Sequence, residues 1–115
     1  MRILFLIITI FLVSQAEGQE DYITFGASGV ASCGTYVDNR RAADSMDATL
    51  ASLWLTGYLT RFARDNRVDS VELDVPSMML WIENYCLENS HRNFAYAAAR
   101  LTVHLQEDEL VTYAN

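Results

Sequence analysis

Lysine is absent from the 115 residues, and eight arginines face fifteen aspartates and glutamates, a formal net charge of −7. A nucleic-acid binder needs a basic footprint, and an anionic membrane surface likewise recruits cations. The charge balance therefore argues against both partners. Cysteine occurs only at 33 and 86, and two thiols so far apart lack the paired C-x2-C spacing of a structural zinc site. No G-x-S-x-G segment places a serine on a strained turn, and no D-x-D-x-D-G loop offers oxygens to calcium. Repeats and low-complexity tracts are missing, and beyond Val13 no apolar run is long enough to span a bilayer. These absences lead us to expect no metal, no cofactor and no catalytic residue, and to read the chain as a non-enzyme.

What is present begins with an export signal. Met1-Arg2 is a short positive start, Ile3 to Val13 is apolar apart from Thr9, and Ser14-Gln15-Ala16 offers small residues at −3 and −1 for cleavage after Ala16. Ala16-Glu17-Gly18 offers a second cut after Gly18. The apolar stretch is about half the ~20 residues that a membrane span requires, so a cleaved signal is expected and not an anchor. The domain plan is a signal peptide at 1–16, a flexible leader at 17–32, a helical domain at 33–105 and an acidic tail at 106–115. The signal implies export to an oxidising compartment, and no stable membrane insertion is expected after cleavage. In an oxidising compartment, Cys33 and Cys86 are expected to pair, closing a 53-position loop that stabilises the fold by roughly 4 kcal/mol in the chain-entropy model.

The mature domain reads as all-α, a small four-helix array of one short and three longer helices. Cys33, Tyr36, Val37 and Arg40 recur at helical spacing in the short first helix, whose body is Thr35 to Arg41. Asp44 or Ser45 caps the second, where Met46, Leu50, Leu53, Trp54, Gly57, Tyr58 and Phe62 trace a stripe expected to face the core. Gly57 in that stripe is expected to admit a close neighbour. Val68 to Asp74 reads as an acidic linker. Asp74 or Val75 then caps a helix with Pro76 in its first turn, and Val75, Met78, Met79, Ile82, Tyr85 and Cys86 form its buried side. Asn93 caps the last helix, whose inward residues are Phe94, Ala97, Ala98, Leu101 and Leu105. No strand is expected.

His91 follows a helix-breaking Asn-Ser pair and is expected at the surface, while His104 lies at the edge of the last stripe. Asp44 with Asp47, and the run Glu107-Asp108-Glu109, read as solvated carboxylates. Trp54 with Tyr58, and Trp81 with Tyr85, stand one helical turn apart in two helices and read as a shared aromatic core. The candidate apolar binding surface is Trp54, Tyr58, Met78 and Trp81, exposed when the fold loosens.

The segments Ser32-Cys33-Gly34-Thr35-Tyr36-Val37, Leu53-Trp54-Leu55-Thr56-Gly57-Tyr58-Leu59, Val75-Pro76, Tyr85-Cys86 with Glu88-Asn89, and Phe94 with Ala97-Ala98 together resemble the HdeA/HdeB-like small periplasmic proteins of Gram-negative bacteria. The resemblance runs from Ser32 to Leu105. It implies an all-helical fold with one disulfide, and acid-stress chaperoning in which a compact dimer loosens and its apolar surface holds unfolding clients. Typical members are lysine-rich, and this chain departs from them there. A second resemblance, to the exported Rap/Tai-type immunity proteins, rests on the Gly57-Tyr58 helix and on Trp81 to Asn89 followed by the Ala-rich Phe94 to Leu105. It implies a cell-wall amidase toxin as the protein partner in place of unfolding clients.

Export and bridging are tested together by mass spectrometry of the mature protein. The first 16 to 18 residues should be missing and the mass should lie two hydrogens below the reduced form. An intact Met1, or two thiols open to alkylation without denaturant, would sink this reading.

Overall fold

The computed structural model describes residues 27–42 and 45–115. The signal peptide, most of the leader and the alternative cap Asp44 lie outside the described residues. A single helical turn, α1 (Ala27–Val30), leads into α2 (Cys33–Arg41), α3 (Met46–Asp65), strand β1 (Val68–Val71), α4 (Val75–Glu88), α5 (Phe94–Glu107) and strand β2 (Val111–Tyr113).

Each of the four longer helices starts where a short polar side chain takes up an otherwise orphan amide. Ser32 accepts from the Thr35 amide, Ser45 from Ala48, Asp74 from Ser77 and Asn93 from Tyr96. The first helix thus begins two residues before Thr35. Pro76 sits in the first turn of α4, where its missing amide hydrogen costs nothing.

The end of the stretch read as a leader belongs to the fold. Ser32 and Asn93 form an antiparallel bridge, in which the Cys33 amide donates to the Arg92 carbonyl and the Phe94 amide donates to the Ala31 carbonyl, both at 2.8 Å. The starts of α2 and α5 therefore lie side by side. The Cys33–Cys86 disulfide is formed, and it fastens the first residue of α2 to the last turns of α4.

The structure is mainly helical but not all-α. The supposed linker at Val68–Asp74 contains β1, and the supposed tail contains β2, which pair antiparallel with Val71 opposite Val111 and Val68 opposite Tyr113. Both strands leave a helix by the same device. Arg67 and Glu109 have φ of 56°, a left-handed conformation just past the caps of α3 and α5. At the second of these, the Leu110 amide reaches back to the Leu105 carbonyl at 2.8 Å and Glu109 to Gln106 at 3.3 Å, the bonding pattern of a Schellman motif. The tail also starts later than expected, because α5 runs through Gln106 and Glu107.

The core sits where α2, α4 and α5 meet the inner face of α3, around Phe94, Ile82, Leu101 and Leu105. In α4 and α5 the buried residues match the expected stripes, with Val75 and Tyr85 half-buried. In α3 they do not. Ala51, Leu55 and Leu59 are buried, whereas Met46, Leu50 and Leu53 are exposed. Nor does Gly57 admit a neighbour: it is exposed, and a Cβ built there meets nothing within 4 Å.

The burial pattern of α3 and α4 is testable by truncation. Leu55→Ala should lower the unfolding free energy by about 2–5 kcal/mol, and Leu80→Ala, on the exposed side of α4, by less than ~0.5 kcal/mol. Comparable losses in urea titrations of the two variants would contradict the assignment.

Candidate functional site

Helical spacing sets two aromatic rows. In the first, the buried Tyr36 hydroxyl donates to the Met79 carbonyl at 2.8 Å, which joins α2 to α4. Its ring lies 4.8 Å from Phe94, Phe94 meets Trp54 edge-on at 5.4 Å, and Trp54 stacks on Tyr58 at 5.3 Å. The row therefore crosses the core from α2 through α5 to α3. Its inner members are buried and its outer members, Trp54 and Tyr58, are half-buried.

The second row lies along α4 and α5. Trp81 stacks on Tyr85 at 5.7 Å and on His104 at 5.1 Å, and Tyr85 lies 6.3 Å from Tyr96. The Arg92 guanidinium covers the Tyr96 ring at 4.3 Å, and Asp108 pairs with His104 Nδ1 at 3.0 Å. An arginine and an aspartate thus close the two ends of a ladder of rings. A cation over a ring face is attracted by its quadrupole, so Arg92 reinforces the stack without a carboxylate.

The expected surface residues are placed unequally. Trp54 and Tyr58 share the first row, Trp81 belongs to the second, and Met78 is buried in the core. The two pairs read as one shared aromatic core therefore serve separate rows. The second row's Tyr96 and Arg92 escaped the sequence reading, and His104 was read only as an edge residue of the last stripe. The row's signal is the four-residue spacing of Arg92 to Tyr96, Trp81 to Tyr85 and His104 to Asp108.

Glu83 is the main charged tie. It approaches Arg40 Nε at 3.6 Å and Arg41 Nε at 3.8 Å, binding the end of α2 to the middle of α4. Arg40 Nε is buried and makes no hydrogen bond. The two histidines are not brought together: His91 is exposed, and His104 is taken up by Trp81 and Asp108. Among the described residues, no group of three or more histidine, cysteine or acidic side chains is arranged to hold a metal ion, and no helix is long and apolar enough to cross a membrane. Comparison with protein-family models, curated proteins and solved structures returns no match.

Burial also sets the acid–base chemistry of the rings. It pushes the Tyr36 phenol far above its ordinary value, against the opposing pull of Arg40, and it raises Tyr58 and Tyr85 as well. A raised folded-state value means that the native chain holds its phenolic protons more tightly than the unfolded chain does. The resulting stability is complete below the ordinary tyrosine range and drains as pH rises above it. Above about pH 10 the protein should lose stability. Tyr36→Phe should flatten that alkaline loss while lowering neutral stability by about 1 kcal/mol through the missing hydrogen bond. Thermal melts across the alkaline range check both, and an unchanged alkaline slope in the variant would refute the assignment to Tyr36.

Proposed function

We propose that the chain is an exported, non-enzymatic binding protein of the periplasm, which holds unfolding polypeptides in acid as an HdeA-like chaperone. The observation that supports this reading most directly is how α4 is attached. Its far end is held covalently through Cys86, while its start is capped by the Asp74 carboxylate and its middle is tied to α2 by Glu83. The covalent tie is indifferent to pH and the carboxylate ties are not.

Bonds from the Ser77 side chain and backbone hold the Asp74 carboxyl below its ordinary value. A depressed folded-state value contributes stability that is present above the unfolded value and lost as pH falls through the folded one, so the α4 cap weakens in strong acid. A neutral side chain at position 83 would leave Arg40 and Arg41 facing α4 without that counter-charge. After cleavage at Ala16, seven arginines face fifteen acids at neutral pH, a net of −8. With every carboxyl protonated, seven arginines, two histidines and the α-amino group give +10. Repulsion among these cations adds to the loosening. Swinging about Cys86, α4 would then present Met78 and Trp81, while the gap left beside the core would open Trp54 and Tyr58 to a client.

A hydrophobic dye should bind strongly at about pH 2–3 and weakly at pH 7, and the acid form should suppress aggregation of a test client. Glu83→Gln should raise dye binding at neutral pH. A protein that stays compact and dye-silent in acid would count against chaperoning and favour the immunity-type reading, which needs a folded surface at neutral pH.

A further inference from the structure

The acids outnumber the arginines, yet they do not claim all of them. Glu83 ties Arg40 and Arg41, and Asp65 pairs with Arg61 at 2.9 Å. Arg64, Arg67, Arg92 and Arg100 form no ion pair among the described residues. Of these, Arg92 and Arg100 are brought to one place by the packing of α5 on α4.

Tyr96 and His104 of α5 meet Tyr85 and Trp81 of α4, at 6.3 Å and 5.1 Å respectively. Arg100 falls midway between Tyr96 and His104, one helical turn from each, and so shares the face that those two rings occupy. Arg92, on the turn before α5, covers the Tyr96 ring at 4.3 Å. The two guanidiniums therefore flank the Tyr85–Tyr96 contact from opposite sides. The Tyr85 phenol responds to this setting: burial raises it most, the Tyr96 hydroxyl reaches it and adds to the rise, and Arg92 and Arg100 both oppose it. Glu88, at the end of α4, is exposed and pairs with neither arginine.

We propose that this face of α4 and α5 is a carboxylate-binding site, in which Arg92 and Arg100 hold the carboxylate oxygens and the tyrosine pair donates a further hydrogen bond. A guanidinium presents a planar fork of donors that matches a carboxylate, and charge-assisted bonds of this kind are about twice as strong as neutral ones. Trp81, stacked between Tyr85 and His104, adds an apolar ledge for the group that bears the carboxylate. The ligand is then a carboxylic acid on an apolar or aromatic body, either a small free acid or the C-terminal residue of a peptide. A dianionic phosphate fits less well, because the chain's excess of acids repels it more than it repels a monoanion. The site is complete in the folded protein at neutral pH, so it does not rest on acid chaperoning.

Titration of the disulfide-bonded protein at neutral pH and about 50 mM ionic strength tests it, followed by calorimetry and by the arginine side-chain NMR signals. N-acetylphenylalanine should bind with a Kd of about 1 mM or tighter and shift the Nε–H signals of Arg92 and Arg100. Its amide, which lacks the charge, should bind about tenfold more weakly or worse. Arg100→Gln, at an exposed position, should cost a similar factor and leave the melting temperature unchanged. Arg92→Gln should weaken binding too, with slightly lower stability because it also strips the cation from Tyr96. A short peptide ending in phenylalanine that binds more tightly than N-acetylphenylalanine assigns the site to protein C-termini, and one that binds more weakly assigns it to small acids. Equal binding of acid and amide, tighter binding of inorganic phosphate, or undiminished affinity in Arg100→Gln would each overturn the proposal.

Discussion

The Cys33–Cys86 bond brings three chain segments to one point. It joins the first residue of α2 to the last turns of α4, one residue from the Ser32–Asn93 bridge that sets α5 beside α2. Both sulfur-bearing residues are buried. One turn further along α2, Tyr36 touches Phe94 and donates to the Met79 carbonyl, so the ring row starts where the covalent tie has already aligned the helices. A domain of this size buries only a modest core, and removing loop entropy from the unfolded chain offsets part of that shortage. Phe94, fully buried against both Tyr36 and Trp54, carries the alignment on to α3.

Much of this was legible in the residues. The starts of α4 and α5 were marked by Asp74, Pro76 and Asn93, and their inner faces by a single apolar stripe each. The short α2 was placed by Cys33, Tyr36 and Val37. The phase of α3 was not legible, because that helix is apolar on two sides. Ala51, Leu55 and Leu59, spaced by four, keep the helical period as well as Met46, Leu50 and Leu53, spaced by four and three, and only packing against the other helices chooses between them. The strands were hidden for another reason. Each is three or four residues long, too short for alternation to register, and each pairs with a segment some forty positions away. The turns into them carry Arg67 and Glu109 where a glycine commonly flags a left-handed cap, so the usual punctuation is missing.

The candidate site was half visible for similar reasons. The four-residue spacing of Trp54 with Tyr58 and of Trp81 with Tyr85 marked the aromatic residues, which were read as one shared core. Their separation into two rows depends on which partner each meets across the fold: Phe94 for the first, and His104 with Tyr96 for the second. Met78 is buried as its place in the α4 stripe implies, whereas Val75 and Tyr85 of the same stripe are half-buried, a ranking that only the tertiary contacts set.

The two-stranded sheet has a mechanical consequence. The disulfide grips α2 and α4, while β1 and β2, continuing directly from α3 and α5, grip the other two helices. The protein is in effect two clamped pairs, one closed by sulfur and the other by main-chain hydrogen bonds. The two pairs are joined to each other by the Ser32–Asn93 bridge and by ring contacts, Tyr36 on Phe94 and Trp81 on His104. The Phe94, Tyr36 and Trp54 rings thus lie across the boundary between the two pairs and set how one pair sits on the other.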